Sequence, residues 1–584
     1  MSTWYEDNPG LLEEEHAALE RAGIPFTVDE GWRAAGVLRL ELAMTVDGET
    51  LDLVAIYPDV FPLTKPEVYA HDLDLPRHQH QGQKNLCLLG RSSDLWETDR
   101  TLAQHLTEQL PKLLLAARRP EGTPSPVPEE PQGEPASDYY PAAPGAAVLI
   151  DSAMTVPAGA DRGQLMLRVD KRPIRVVTRD AKRGIDAPIV RSVLTQIRAD
   201  GVTIAAPDAL INSIGDGADL TARWVRLDPP PPAPSFNGDL SEFQRDLFTR
   251  CPWLADHRTA PAYNGKHHLD VIGIVFREEL AQDRYGDGWL FVVRAFRGRA
   301  TDGVTYLARA MRAGPGDLLE RIPSLAGMPS KKVALVGLGG VGAPIALELA
   351  KAQLGELRLL DHDRVDAGTA VRWPFGLESS GRDKVQVIEE HIAKNLPYTK
   401  VSGAIRRLGG VRLDPAAPSD QQVLDDLLAG VDLLIDASAE YLIHYLLSRE
   451  AAKRGLPYLE VATRNGAWGG IMARIPRDGC WLCYESLVED LRIRDPSVAP
   501  AADPAPFRQP LGCADPTFTG TGFDIGEYAL IATRLAIGTL LADAGYASPP
   551  WDVAIVDLHT DDGRPRWSTF PLERHPRCPI HRAA

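Results

Sequence analysis

Cysteine is scarce in this chain, with six among 584 residues. That excludes a dense disulfide framework of the kind that stabilises small secreted domains. A signal peptide is missing too, because MSTWYEDNPGLLEEEHAALE has no basic region followed by an apolar core. No window approaches the ~20 apolar residues of a membrane span. Positive charge is not in excess: 63 basic against 80 acidic side chains leave a net charge of −17. Broad, sequence-independent nucleic-acid binding needs a basic footprint and is disfavoured. There is no internal repeat. These absences predict a cytoplasmic protein with no nucleic-acid or membrane partner, whose cysteines serve metals or catalysis.

What is present is a globular composition, 44% hydrophobic and 24% charged, in a chain too long for one core. RPEGTPSPVPEEPQGEPASDYYPAAPG (119–145) lacks apolar periodicity and reads as an extended, mobile linker. DPPPPAPS (228–235) is shorter and stiffer. The expected division is a domain over 1–118, the linker over 119–145, a bridging α+β domain of unread role over 146–315, and a domain over 316–584.

The last of these has the clearest pattern. KKVALVGLGGVGAPIALELAKAQLGELRLLDHD predicts strand, Gly-rich turn, helix, and a strand ending in Asp361. VDLLIDASAE and AAKRGLPYLEVAT continue the alternation, which implies a doubly wound parallel sheet with ligands at the carboxyl ends of its strands. Near the end, WDVAIVDLHT and RPRWSTFPL flank DDG, a hairpin signal. Gly337, Gly339 and Gly342 fit a phosphate-cradling loop between strand and helix, and Asp361 suits a ribose hydroxyl. A nicotinamide or flavin enzyme would share those features. Arg372 and Lys384 point instead to a triphosphate attacked at its α-phosphorus, which needs cations along its length.

Cys480 and Cys483 in DGCWLCYES, with Cys578 and His581 in HPRCPIHR, form two halves of a four-ligand zinc site, structural because every position is filled. The alternative is a redox C-x-x-C or four unconnected residues. Cys251, in LFTRCPWLAD, reads as a core residue. Cys513 lies in a Pro/Gly-rich loop leading into a long apolar helix, where a thiolate could attack an acyl-adenylate. Cys87, in QGQKNLCLLGRSSDLW, sits in a polar run and looks presented.

The ordered set Gly337, Gly339, Gly340 and Gly342, then LLDHDRVD with Asp361 and Asp363, then Arg372, Lys384 in GRDK and Asp436 in LLIDAS resembles the adenylation domain of ubiquitin-activating enzymes. The same domain serves the sulfur-carrier adenylyltransferases of thiamine and molybdenum-cofactor synthesis. The resemblance implies ATP and Mg2+, with Asp361 on the ribose and Arg372 and Lys384 on the phosphates. It also implies a zinc site split between the two Cys/His halves and a catalytic cysteine between them, where Cys513 falls. Homodimers are usual among such relatives, and Arg321 is the candidate to reach a partner's ATP. One departure stands out: Ala439 occupies the place of the family's Mg2+ aspartate, leaving Asp436 or Glu440 to take over.

The N-terminal order is a charged helix (Leu11 to Arg21), the strand-like AGVLRLELAM and ETLDLVAIYP, Pro58, Pro62 and Pro66, Cys87, Trp96 and a closing helix. It resembles the ubiquitin-conjugating fold, in which the cysteine accepts the activated protein. The family's His-Pro-Asn is absent, so His78, His80 or Asn85 would substitute; His78 and His80 as plain surface residues, or as two metal ligands on a strand, are the other readings, the metal one the weakest. The whole arrangement resembles the fused activating–conjugating enzymes of bacterial CBASS anti-phage operons. In those enzymes the activated carboxylate is the C-terminus of a cGAS-like nucleotidyltransferase, ligated to a target amine. A dedicated ubiquitin-like modifier as cargo, or simple sulfur-carrier adenylation with Cys87 incidental, are the rival readings.

Overall fold

The computed structural model describes residues 3–88, 96–120, 123, 133–157, 159–180, 185–234, 238–258, 260–297, 303–476, 479–495, 501–504 and 518–581. The chain forms two compact units, one of residues 1–206 with 216–312, the other of 207–215 with 313–584.

In the first unit a single helical turn over Trp4–Asp7 leads into helix α1 (Pro9–Arg21), which has proline at its first turn. Strands β1 (Phe26–Val28), β2 (Arg39–Val46), β3 (Glu49–Ile56) and β4 (Glu67–Tyr69) follow as an antiparallel sheet in sequential order. Period-2 patterning aims Leu40, Leu42, Met44 and Val46 of β2 inward, with Leu51, Leu53 and Ala55 of β3 beside them. Against this face packs helix α2 (Leu102–Ala117), started by a Thr101/Gln104 capping box, through Leu102, Leu106, Leu110 and Leu113.

The middle region, expected as α+β, is almost entirely β among the described residues. Its strands are β5 (Ala147–Ile150), β6 (Arg162–Asp170), the small ribbon β7 (Arg175–Asp180) with β8 (Ile185–Ile189), then β9 (Arg191–Ala199), β10 (Val202–Ala205), β11 (Gly217–Arg226), β12 (His267–Ala281), β13 (Arg284–Arg297) and β14 (Gly303–Arg312). The main sheet runs β10-β9-β5-β14-β13-β12-β11-β6, and β6 also pairs with β9, so the sheet closes on itself. Helix α3 (Ser241–Arg250) covers one side, packing Phe243 and Leu247 on Ile272, Ile274, Phe276, Leu290 and Val292. On the other face Trp289 meets Trp224 and Phe291 at ring separations of 6.5 and 5.6 Å. With both faces covered, β12 and β13 are buried almost continuously, and such runs lose the alternation that identifies strands. Cys251, at the end of α3, is a core residue as expected.

The second half of the expected mobile linker is docked. The Glu134 and Ser137 N–H groups donate to the buried carboxylates of Glu279 and Glu278 on β12, at 3.1 and 2.8 Å. The Ala143 N–H donates to Leu307 O at 2.9 Å. Buried carboxylates need donors, and this segment supplies them.

In the second unit, β15 (Lys332–Val336), helix α4 (Gly342–Lys351), β16 (Glu356–Asp361), α5 (Lys384–Asn395), β17 (Lys400–Ile405), α6 (Asp420–Leu428), β18 (Leu433–Asp436), α7 (Tyr441–Arg454), β19 (Tyr458–Thr463), β20 (Gly469–Ile475), α8 (Trp481–Arg494), α9 (Gly522–Leu540), β21 (Val553–Asp557) and β22 (Arg566–Phe570) follow in order. The sheet order is β17-β16-β15-β18-β19-β20-β21-β22. The first five strands are parallel and the last three antiparallel. Connections leave β15 toward β16 and return beyond it at β18, which makes the ends of these strands the switch point where such folds bind ligands.

Candidate active site

At that switch point lies a cavity of about 640 Å³, lined by the glycine loop, the ends of β15, β16 and β18, and residues from α5, β17 and α9. Two glycines are dictated by packing. Gly337 has φ +87°, and a Cβ there would meet Ala437 O at 2.5 Å; a Cβ on Gly342 would lie 1.9 Å from Gly337 O. Gly339 differs, since a Cβ there would meet nothing within 4 Å among the described residues. It lines the cavity, as does Gly340.

Asp361, buried at the end of β16, accepts from the Leu338 N–H and, at 2.7 Å, from the Asp363 N–H. It therefore ties the glycine loop to the neighbouring strand. The Lys384 Nζ donates to Asp363 Oδ2 at 2.7 Å. Burial pushes the Asp363 carboxyl up, but the bond and charge of Lys384 outweigh it and hold the group below its usual range. Arg372 lies over the Phe518 ring at 5.6 Å, and burial lowers its pKa. Arg406 and Arg407, at the end of β17, also line the cavity, and Arg406 is paired with Asp420 at 2.9 Å. These two arginines, Ser438 and Phe518 escape the sequence reading. The only signal was an RR pair after a strand, which looks like ordinary surface charge.

Asp436 is corrected by the structure. Its side chain is fully buried and does not line the cavity. One oxygen accepts from the Ser438 N–H at 3.0 Å; the other takes His444 Nδ1 at 2.9 Å and the Tyr458 hydroxyl at 2.8 Å. A carboxylate so engaged, and turned away from the cavity, is spent on the fold. Glu440, on the same loop, is exposed and does line the cavity. Behind Asp436, Glu460 accepts from Trp481 Nε1 at 2.5 Å. Burial raises the Glu460 carboxyl to about 7.

The two Cys/His halves converge. Cys480 Sγ lies 3.7 Å from Cys483 Sγ, 3.5 Å from Cys578 Sγ and 3.8 Å from His581 Nδ1; Cys483 and His581 are 3.0 Å apart. Four ligands around zinc at Zn–S of about 2.3 Å would be separated by roughly 3.8 Å, the edge of the tetrahedron. Burial pushes the Cys480 thiol up to about 12. At Cys578 burial acts the same way, yet backbone N–H groups of His581 and Ile580 outweigh it and lower the thiol. The donor set suits a soft cation that displaces the protons.

In the first unit, Cys87 is half-buried on a hairpin in which Gln79 pairs with Leu86, and its N–H donates to His78 O at 2.8 Å. His78 Nδ1 meets Glu134 Oε1 at 2.9 Å. His80 Nδ1 accepts from the Gly82 and Gln83 N–H groups and its ring faces Tyr139 at 4.6 Å, so it serves its own turn. The buried Asn85 Oδ1 has no hydrogen-bond partner among the described residues. Trp96 is buried and donates to Pro62 O at 2.8 Å. Arg321 is exposed. Cys513 lies outside the described residues. Among the described residues no helix is long and apolar enough to cross a membrane.

Residues 323–525 match the profile of the ThiF family. Along its length the chain is similar to the protein y4qC of Sinorhizobium fredii, 32% identical over 97% of this chain and 95% of the relative. It is also similar to y4oA of the same organism, 30% identical over 99% and 97%. A shorter match, 32% identical over 25% of this chain and 32% of the relative, is to MoeZ of Mycobacterium tuberculosis, a probable adenylyltransferase/sulfurtransferase.

Proposed function

The chain belongs to the family of y4qC and y4oA and carries a ThiF-family adenylation domain, and from that premise we propose that it activates the C-terminal carboxylate of a protein with ATP and relays it through two cysteines. The observation that carries the first step is the convergence of Arg372, Lys384, Arg406 and Arg407 on one cavity at the glycine loop. A carboxylate oxygen attacks the α-phosphorus, the bond to the β-phosphate oxygen breaks, and pyrophosphate leaves. The developing charge falls to Lys384, Arg372 and Arg407, with backbone N–H groups of the loop on the phosphates. Bound Mg2+ would neutralise phosphate oxygens. Glu440 is the cavity carboxylate placed to hold it, since Asp436 is committed elsewhere. Zinc at Cys480, Cys483, Cys578 and His581 would brace the start of α8 against the chain's end.

The later steps rest on the sequence. The Cys513 thiolate attacks the acyl-adenylate and expels AMP. The Cys87 thiolate takes the acyl group by thioester exchange, and a target amine then displaces it. The order of the two catalytic segments favours the C-terminus of a cGAS-like nucleotidyltransferase as cargo, in an anti-phage setting. A ubiquitin-like modifier is the alternative cargo, and homodimerisation through the adenylation domain belongs to the same reading. A second reading, sulfur-carrier adenylation alone, is favoured by the MoeZ match and by the relative named sulfur carrier protein ThiS adenylyltransferase in Escherichia coli.

Intact-mass spectrometry decides between them. The protein is co-expressed with its genomic neighbours as wild type, Cys87→Ala and Cys513→Ala. A thiol-labile adduct on Cys513 that accumulates in Cys87→Ala and vanishes in Cys513→Ala supports the relay and weighs the cargo. ATP turnover without an adduct on either cysteine sinks it and leaves carrier adenylation.

A further inference from the structure

We propose that Glu134, from outside the N-terminal fold, is a positioning residue for Cys87 and acts through the backbone and ring of His78. The inference rests on the reading of Cys87 as the acyl acceptor. Within the Cys87 hairpin the pairing of Gln79 with Leu86 sets His78 opposite Cys87, and the Cys87 N–H donates to the His78 carbonyl at 2.8 Å. The place of Cys87 is thus referred to that of His78.

His78 holds φ +61°, a left-handed conformation uncommon for a residue with a Cβ. Glu134 braces it. One carboxylate oxygen accepts from the His78 N–H at 2.6 Å, and the other lies 2.9 Å from His78 Nδ1. The carboxylate therefore clamps the residue at two points, and both partners are largely buried. Glu134 is itself fixed. Its N–H donates to Glu279 Oε2 at 3.1 Å, while Arg77, the residue before His78, donates to Glu279 Oε1 at 2.8 Å. Glu279 stands near the end of β12, so the closed sheet reaches the cysteine hairpin through two adjoining paths.

The charged and titratable groups around the clamp are Arg77, Glu279, Asp283 and Arg119 on one side, and His80 and Tyr139 on the other. Burial alone would raise the Glu134 carboxyl. The bonds from His78 and the charge of Arg77 outweigh that and keep it ionised. An ionised, doubly engaged carboxylate is what a fixed left-handed turn requires. Sub-ångström placement matters because thioester exchange depends on the approach of one sulfur to one carbonyl carbon. The sequence hides this link, since Glu134 sits in a Pro-rich stretch with no apolar pattern.

The test uses the full chain and iodoacetamide, with alkylation of each cysteine followed by peptide mass spectrometry. With Glu134→Ala the hairpin loosens and the half-buried Cys87 thiol becomes more accessible. Its alkylation is expected to rise at least 5-fold, with Glu134→Gln intermediate, because the amide oxygen still accepts from the His78 N–H. The buried Cys251 is the internal control and is expected to stay slow. Equal Cys87 rates in wild type and Glu134→Gln overturn the proposal, even if Glu134→Ala fails to fold. A rise matched at Cys251 means general loosening and overturns it too. Alkylation needs neither ATP nor cargo. A shifted Cys87 rate in a protein that never carries acyl groups on Cys87 defeats the acceptor reading alone. Acyl loading of Cys87 at equal rates in wild type and Glu134→Gln defeats the positioning alone.

Discussion

Lys384→Met probes the nucleotide site at its most informative contact. Lys384 Nζ lies 2.7 Å from Asp363 Oδ2, and the lysine side chain is only 11% exposed. Losing one charge-assisted bond to a phosphate costs ~1.5–3 kcal/mol. The substitution also strands the Asp363 carboxylate. Set about 6 Å from a phosphate charge, at an effective dielectric constant of about 20, it adds roughly 2–3 kcal/mol of repulsion. Together these weaken ATP by a factor on the order of 10³ or more, at about 1.4 kcal/mol per decade. Adding Asp363→Asn removes the second contribution and is expected to restore at least tenfold. Equilibrium titration with Mg2+ and ATP measures both variants without any cargo protein. There is a pH corollary. Without Lys384, burial raises the Asp363 carboxyl against only the charges of His362 and Arg407, so it takes up its proton at a higher pH than in wild type and the single variant gains on wild type as pH falls. A double variant no better than the single one would show that Asp363 contacts ATP directly. A single variant within threefold of wild type would place Lys384 away from the phosphates.

Gly342→Ala forces a methyl to 1.9 Å from Gly337 O and is expected to lower Tm, overpacking costing ~1–3 kcal/mol, whereas Gly339→Ala meets nothing among the described residues and is expected to keep Tm and lose ATP affinity. Glu279→Gln removes the 2.8 Å ion pair of the buried Arg77 and leaves Asp283, at 3.8 Å, as the nearer carboxylate, a change expected to cost ~1.5–3 kcal/mol in thermal unfolding of the first unit, and a wild-type Tm would show the pair is dispensable. Glu460 binds its proton up to about 7 in the folded chain against 4.5 ordinarily, so its contribution falls as pH rises between those values, by up to ~3 kcal/mol. His444 shifts stability in the same sense: burial lowers its pKa, but the bond and charge of Asp436 outweigh that and raise it, so its contribution is lost as pH climbs through the folded value. Glu460→Gln should therefore flatten the Tm–pH curve of the second unit, and an unchanged slope from pH 5 to 8 refutes the assignment. Metal analysis should find zinc lost in Cys480→Ser with Cys578→Ser, together with a lower Tm; full zinc in that variant would remove the site from these residues.

The glycine spacing, the strand before it and Asp361 were legible because each is a local requirement: a backbone that must approach closely and a carboxylate at a strand end. What escaped depends on which strands become neighbours. Arg406 and Arg407 reach the cavity only because β17 takes the outer place beside β16. Asp436 was misread for a related reason. A carboxylate at the end of β18 is placed correctly by the apolar pattern, but the direction its oxygens face is set by His444 on α7 and Tyr458 on β19, and no spacing rule predicts that capture. The closure of the first unit's sheet was not legible, because it rests on β6 pairing with both β11 and β9, partners that no local pattern names. Its docked entry segment was read as a linker because prolines and glutamates mark solvent exposure until a partner, here Glu278 and Glu279, claims their backbone.

Net charge and local charge have to be weighed separately. A chain at −17 repels polyanions at long range. Charges beyond a Debye length of about 8–10 Å are screened at physiological ionic strength, so a triphosphate inside the cavity responds mainly to what lines it. There, four cations face three carboxylates, Asp361, Asp363 and Glu440. Two of those carboxylates are already turned onto backbone N–H groups and onto Lys384, and Arg406 is spent on Asp420. The balance that remains for a ligand is Arg372, Arg407 and a shared Lys384 against Glu440. That excess suits a nucleotide triphosphate, and under the proposed reading its remaining charge would be carried by Mg2+ at Glu440. On that reading Glu440→Gln is expected to make ATP affinity insensitive to added Mg2+, and an unchanged Mg2+ dependence would remove Glu440 from the role.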